Sequence, residues 1–240
     1  MKILHFDSLE STNKYCELLD PKSLEEFTVV CTEEQLSGIG QRGNVWSSEA
    51  HKNLTFSVIL KPSFIATADQ YYLTMCLALA VTETVDHYCG NNTTKIKWPN
   101  DIYVDGKKIC GILTSNSISN GHLSQSICGI GLNVNQTVFP QWIPNPTSLK
   151  LIADKDFDTD KVLELLLIKL QHFYSILKED AETVKKKYLD RLYRLNKPAK
   201  YRYKGEEIEA TIIGVDQFGH LRLEHNGTEV TCDLKEVVFL

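Results

Sequence analysis

Hydrophobic and polar positions divide the chain into two regions of different character. In the first, "FTVVCTEEQ" and "NLTFSVILK" are β-rich runs that predict two strands, one entering and one leaving a polar, glycine-bearing stretch. From about Asp69 to Cys89 the chain includes "LTMCLALAV", apolar nearly all round, which predicts a helix buried at the centre of the fold. The runs "TTKIKWPNDIYV", "KKICGILTSNS" and "HLSQSICGIGLNV" follow, separated by Asp105-Gly106 and Asn120-Gly121. Asp-Gly and Asn-Gly between β-rich runs are hairpin signals, so this region reads as an antiparallel meander. In the second region Leu163, Leu166, Leu167, Leu170, Tyr174 and Leu177 recur at helical spacing, and a further helix runs on to about Leu195. Asn196-Lys197-Pro198 breaks the chain, and the short alternating runs beyond it predict a small all-β barrel. The expected division is residues 1–196 and 197–240.

Composition narrows the function classes. A net charge of -5, with one basic cluster at Lys185, Lys186 and Lys187, argues against a nucleic-acid partner, which would need a clustered basic surface. No apolar run has the length of a membrane span, and "MKILHFDSLEST" lacks the apolar run of a signal peptide. The seven cysteines are odd in number, scattered, and form no C-x-x-C pair, so they read as reduced structural thiols. A cytoplasmic protein is the expectation.

"QLSGIGQRGNVW" carries Gly38, Gly40 and Gly43 in G-x-G-x-x-G spacing. A dinucleotide site would need a helix at the third glycine, and a P-loop would need Gly-Lys-Ser/Thr; neither is present. Taken alone the match is a surface turn. Three further stretches change the balance. "KWPND" sets Lys97 at a strand end beside a proline-enforced break, with Asn100 and Asp101 adjoining. "STN" places Ser11, Thr12 and Asn13 at a helix start, and "GIGLNVN" brings Gly129, Gly131 and Asn133 to a strand end. Singly they are a turn, an N-cap and a glycine-softened strand.

In the order "ESTN", "QLSGIGQRGNVW", "KWPNDIYVDGKKICGIL", "GIGLNVN" and then a small barrel, the chain resembles the biotin protein ligases over almost its whole length. The resemblance implies an α+β fold: a catalytic domain like those of class II aminoacyl-tRNA synthetases and lipoate ligases, followed by a C-terminal all-β barrel. It implies an ATP-dependent reaction in which biotin becomes biotinyl-5'-adenylate and passes to a lysine of a biotin carboxyl carrier domain. Mg2+ would accompany ATP. Lys97 is then the catalytic centre, with Arg42 a second cation. Ser11, Thr12, Asn13, Gln35, Ile39, Gly40, Gln41, Gly111 and Ile112 would bind biotin. Gly38, Gly43, Trp46, Asn100 and Asn133 would serve the nucleotide. Three roles stay open for Asp101: orienting Lys97, holding magnesium, or capping the turn.

The family's commoner loop is G-R-G-R-R-G; here it reads "GIGQRG", so Ile39 and Gln41 remove two cations and Arg42 alone remains. The chain starts directly at the catalytic motifs, so a DNA-binding repressor role is not expected. A glycine-rich loop without an apolar anchor is expected to be mobile until ligands order it. Two other readings are a lipoate or octanoate ligase, whose R-R-x-x-G-G-G is absent, and a non-catalytic biotin or adenylate sensor, against which the retained Lys97 argues. The sequence leaves monomer and homodimer open.

Overall fold

The computed structural model describes residues 2–90, 94–234 and 236–240, with Arg42 described through its backbone alone. In chain order come β1 (Lys2–Leu9), α1 (Thr12–Leu18), β2 (Thr28–Gln35), β3 (Leu54–Leu60), α2 (Tyr71–Cys89), β4 (Thr94–Lys97), β5 (Asp101–Val104), β6 (Lys107–Ser119) and β7 (His122–Leu132). Three helices follow, α3 (Leu149–Ala153), α4 (Thr159–Glu179) and α5 (Ala181–Arg191). Five short strands close the chain: β8 (Pro198–Tyr203), β9 (Glu206–Val215), β10 (Leu221–His225), β11 (Thr228–Cys232) and β12 (Val237–Phe239).

The first seven strands form one sheet in the order β1-β2-β3-β7-β6-β5-β4. Only β1 and β2 run parallel; the meander from β4 to β7 is antiparallel throughout. Its Asp105-Gly106 and Asn120-Gly121 turns hold both central residues at positive φ, the geometry that two-residue hairpins require. Every residue of β3 is buried, because helices cover both faces of the sheet at its centre. On one face α1 packs Cys16 against Val30, Ile59 and Ile127. On the other, α2, buried over most of its circumference as its composition predicts, lies between the sheet and α4 and α5. The leucines expected at helical spacing in α4 are all buried, together with Phe173.

The second sheet is antiparallel, in the order β11-β10-β9-β8-β12, and among the described residues no ladder joins its two ends. It shares one apolar core with the first: Tyr201, Ile212, Leu221 and Val237 belong to the same cluster as Ile96, Trp98 and α2. The joint is specific. Trp98 Nε1 donates to the Gly219 carbonyl at 2.8 Å. A Cβ at Gly219 would lie 2.4 Å from the Tyr71 ring, so the β9–β10 turn sits directly on α2. Tyr71 in turn donates its hydroxyl to the Pro99 carbonyl at 2.9 Å, which holds the "KWPND" turn from below.

Candidate active site

A cavity of about 420 Å³ opens between the large sheet, the glycine loop and the last strand of the small sheet. Its polar end is built on α1. Ser11 caps the helix by accepting from Lys14 N, and this turns Thr12 and Asn13 toward the sheet. Gln35, at the end of β2, accepts from Thr12 N at 3.0 Å through Oε1, leaving Nε2 as its donating end. Ser57, buried in the middle of β3, donates to Thr12 Oγ1 at 2.7 Å or to Asn13 Oδ1. Asn13 donates to the Leu113 carbonyl at 3.2 Å. A polar network this closely tied presents its remaining donors and acceptors in fixed directions.

Two glycines of "GIGLNVN" make room for this arrangement. A Cβ at Gly129 would lie 2.3 Å from Asn13 Oδ1, and one at Gly131 would lie 2.3 Å from the Trp46 ring. Trp46 covers Gly131 and also borders Gly111, where a Cβ would meet it at 3.2 Å. The glycine loop folds back on itself before Trp46. Ile39 bridges Val45, Gly40 N donates to the Asn44 carbonyl at 2.7 Å, and Trp46 N donates to the Gly38 carbonyl at 2.9 Å. The N–H groups of Gly40 and Trp46 are thus occupied within the loop.

The charged end lies across the cleft. Lys97 closes β4 and Asp101 opens β5 directly opposite it in register. Asp101 does not hold Lys97, however: it pairs with Lys108 of β6, Nζ to Oδ1 at 2.6 Å. Lys97 donates instead to the Tyr103 hydroxyl at 3.2 Å. Burial pulls the Lys97 pKa below the ordinary lysine value, with Lys108 and Arg194 adding to the fall and Asp101 opposing it. Asp101 is the only carboxylate among the described residues lining the cleft.

Of the residues singled out in the sequence, Ser11, Thr12, Asn13, Gln35, Ile39, Gly40, Gln41, Trp46, Lys97, Asn100, Gly111 and Ile112 all line this cavity. Asn100 spends its side chain on the Ile112 carbonyl at 2.6 Å, so it fixes the turn against β6. Gly38 and Gly43 shape the loop without lining the cavity, and the expectation for the Arg42 side chain falls outside what is described. Asn133, expected at the nucleotide, does not line the cavity. It is 5% exposed, donates to the Thr147 carbonyl at 2.9 Å, and ties the end of β7 to the segment before α3. Sequence reasoning missed Lys108, Ser57 and Phe239. Lys108 stood in plain view in "KKICGIL", and a serine inside the apolar run "LTFSVIL" was a signal for a buried polar contact. Nothing in the sequence placed Phe239, distant along the chain, at Lys97.

The cleft in this mixed sheet carries a neutral polar network at one end and two lysines with one carboxylate at the other, the arrangement of a site for a small molecule with an uncharged head group and an anionic end. The chain matches the Biotin/lipoate A/B protein ligase family over residues 5–133, and it belongs to that family. It is 29% identical over 237 residues to the biotin--[acetyl-CoA-carboxylase] ligase of Paracoccus denitrificans, covering 96% of this chain and 97% of that one. It is 34% identical over 175 residues to the bifunctional ligase/repressor BirA of Bacillus subtilis, covering 72% of this chain and 53% of that protein, so the match spans about half the relative's length. Among solved structures, biotin protein ligase from Aquifex aeolicus in complex with biotin and ATP superposes with a TM-score of 0.83, covering 100% of this chain and 98% of that one; at 24% identity the likeness is one of fold. Biotin acetyl coenzyme A carboxylase synthetase from Helicobacter pylori, with bound biotinylated ATP, superposes at 0.64 with 26% identity, covering 96% and 99%.

Proposed function

We propose that the protein is an ATP-dependent biotin protein ligase that forms biotinyl-5'-adenylate and transfers the biotinyl group to a lysine of a biotin carboxyl carrier domain. The observation that carries this reading is the polarity of the cleft: Thr12, Asn13 and Gln35 at one end, Lys97, Lys108 and Asp101 at the other. A ureido ring needs paired donors and acceptors in fixed directions, and the α1 network offers them. The valeryl chain of biotin would then run across Gly111 and Ile112 and bring its carboxylate to the lysines.

In the first step a carboxylate oxygen attacks the α-phosphorus, and the bond to pyrophosphate breaks. In the second an acceptor lysine nitrogen attacks the acyl carbon, losing a proton, and AMP leaves. Both transition states gather negative charge between the carboxylate and the α-phosphate, so preorganised cations there lower both barriers. Lys108, held by Asp101 above Gly111, and Lys97, on the side of the small sheet, are two such cations. The retained Arg42 supports a third, holding the adenylate from the loop. Trp46 would cover the adenine. Mg2+ entering with ATP would neutralise phosphate charge; Asp101 would face it, and phosphate oxygens would supply most of its ligands, since the described residues hold no cluster of three metal-ligating side chains.

This reading keeps the division at residues 196 and 197, has no nucleic-acid partner, and places the protein in the cytoplasm. Among the described residues no helix is long and apolar enough to cross a membrane. The test is mass spectrometry of a purified carrier domain incubated with the protein, MgATP and biotin, lipoic acid or octanoic acid. A gain of the biotinyl mass alone is the expected result; a gain with lipoic or octanoic acid instead would transfer the assignment to the other branch of the family.

A further inference from the structure

Among the described residues, the lysine opposite Asp101 has no carboxylate within ion-pair distance. Strand register sets Lys97 across from Asp101, yet the short ion pair goes to Lys108. The Tyr103 hydroxyl, which accepts from Nζ at 3.2 Å, and two aromatic rings hold the Lys97 ammonium instead. Its Nζ lies 5.1 Å from the ring centroid of Tyr103 in β5 and 5.0 Å from that of Phe239 in β12. Both distances fall within the range at which an ammonium is attracted to an aromatic ring. Phe239 is itself seated edge-on against the buried Tyr201 of β8, at 5.2 Å between centroids, and Tyr103 lies 5.8 Å from Tyr193. The clamp is therefore shared between the two sheets, and one half of it belongs to the penultimate residue of the chain.

The chemistry of the arrangement is specific. A lysine beside a free carboxylate forms an ion pair and is largely neutralised toward an incoming anion. A lysine held by aromatic rings and a neutral hydroxyl keeps its full charge and its remaining N–H donors. We propose that Phe239 is a positioning residue which, with Tyr103, withholds Lys97 from Asp101 and keeps its ammonium uncommitted in the cleft as an anion site for the phosphates. The proposal deepens the ligase reading and rests on it for the identity of the anion, but the clamp itself is a property of the ligand-free chain. Burial lowers the pKa of Lys97; Asp101 opposes the fall, and Lys108 and Arg194 add to it as further cations. The Tyr103 hydroxyl remains protonated, because burial, with Asp101 next in effect and then Tyr193, pushes its pKa up to about 12.

The clamp can be read directly from the lysine Cε–Hε signals of protein labelled with 13C-lysine, the Lys97 signal being assigned by its loss in Lys97→Met. Ring faces displace such protons upfield, so Lys97 is expected well upfield of the exposed Lys186. Phe239→Leu keeps apolar bulk against Tyr201 and removes the ring: the Lys97 signal should move back toward the exposed position. Inorganic pyrophosphate titrated against that signal should bind roughly fivefold more weakly, as for loss of one partly buried cation–ring contact. In turnover the KM for ATP should rise by a similar factor with biotin affinity unchanged. Phe239→Tyr should restore all three. Tyr103→Leu removes the opposite ring and gives the same readout from the large sheet, should Phe239→Leu prove unstable. A Lys97 signal that stays in place in a folded Phe239→Leu protein, with unaltered pyrophosphate binding, overturns the proposal whatever the activity. A parent protein that shows the clamp but makes no adenylate overturns the ligase reading and leaves the clamp standing.

Discussion

At the scale of single residues, the site is governed by what glycine permits and what lysine costs. Gly129→Ala would set a methyl 2.3 Å from Asn13 Oδ1, and Asn13 cannot move without releasing the Leu113 carbonyl and Ser57. Loss of such buried hydrogen bonds costs about 1–3 kcal/mol, so calorimetry should show biotin binding weakened roughly 10- to 100-fold in a protein that still folds. Lys97 is a different case, because the fold holds a charge it would rather not bury. Its folded pKa lies below the ordinary value, so the native state gives up this proton at lower pH than the unfolded chain does, and the contribution of Lys97 to stability improves as pH rises through the window between the two. Lys97→Met should therefore raise the melting temperature at pH 7 and flatten its rise on the alkaline side. It should also slow adenylate formation by about 10²-fold or more, as for removal of a preorganised electrostatic group. A variant that lost stability along with activity would refute the burial argument.

At the scale of elements, the loop from Gly38 to Trp46 sets its own conformation against the ligands it is to meet. Two of its amides are spent on the internal ladder, and Trp46 rests on Gly131. In the proposed ligase, ligand binding would exchange those bonds for contacts to biotin and phosphate, and the loop should become more resistant to proteolysis when biotin and ATP are both present. With Ile39 and Gln41 where arginines are commoner, Arg42 carries the loop's only cationic side chain. Arg42→Ala should hasten dissociation of the adenylate, measured by chase with unlabelled biotin, and Gln41→Arg should slow it. Ligand-independent proteolysis together with an unchanged off-rate in Arg42→Ala would reduce this loop to a turn.

At the scale of the whole molecule, the small sheet is part of the site and part of the core. Sequence reading put a breaker at Asn196-Lys197-Pro198 and divided the chain there. One apolar core nevertheless runs across that division. Truncation after Lys197 would uncover Trp98, which is 3% exposed, and remove the carbonyl its indole bonds to. Burial of one such side chain is worth about 2–3 kcal/mol, so the truncated protein should melt roughly 5–10 °C lower, with red-shifted tryptophan emission. Nucleotide affinity should suffer more than biotin affinity, since β12 faces Lys97 while the α1 network lies wholly in the large sheet.

What the sequence by itself determined about this protein was local. β-rich runs joined by Asp-Gly and Asn-Gly turns specify the meander, because those pairs adopt positive φ at little cost and leave hairpins few alternatives. Leucines at helical spacing specify α4, and an apolar circumference requires α2 to be central. The motif residues of "STN", "QLSGIGQRG" and "KWPND" could be picked out as one site because their order along the chain is distinctive. Tertiary structure alone decided how they share the work. Lys97 and Asp101 are register partners in a hairpin, and local reasoning would pair them. Asp101 instead meets Lys108 from the next strand, and Lys97 meets a phenylalanine from the far end of the chain. Asn133 reads as a site residue but spends its amide on a buried carbonyl, because an interior carbonyl without a partner costs more than a missing surface contact. Secondary structure follows from neighbours in sequence, whereas the destination of a charge or a buried amide depends on which groups the completed fold brings within hydrogen-bonding distance.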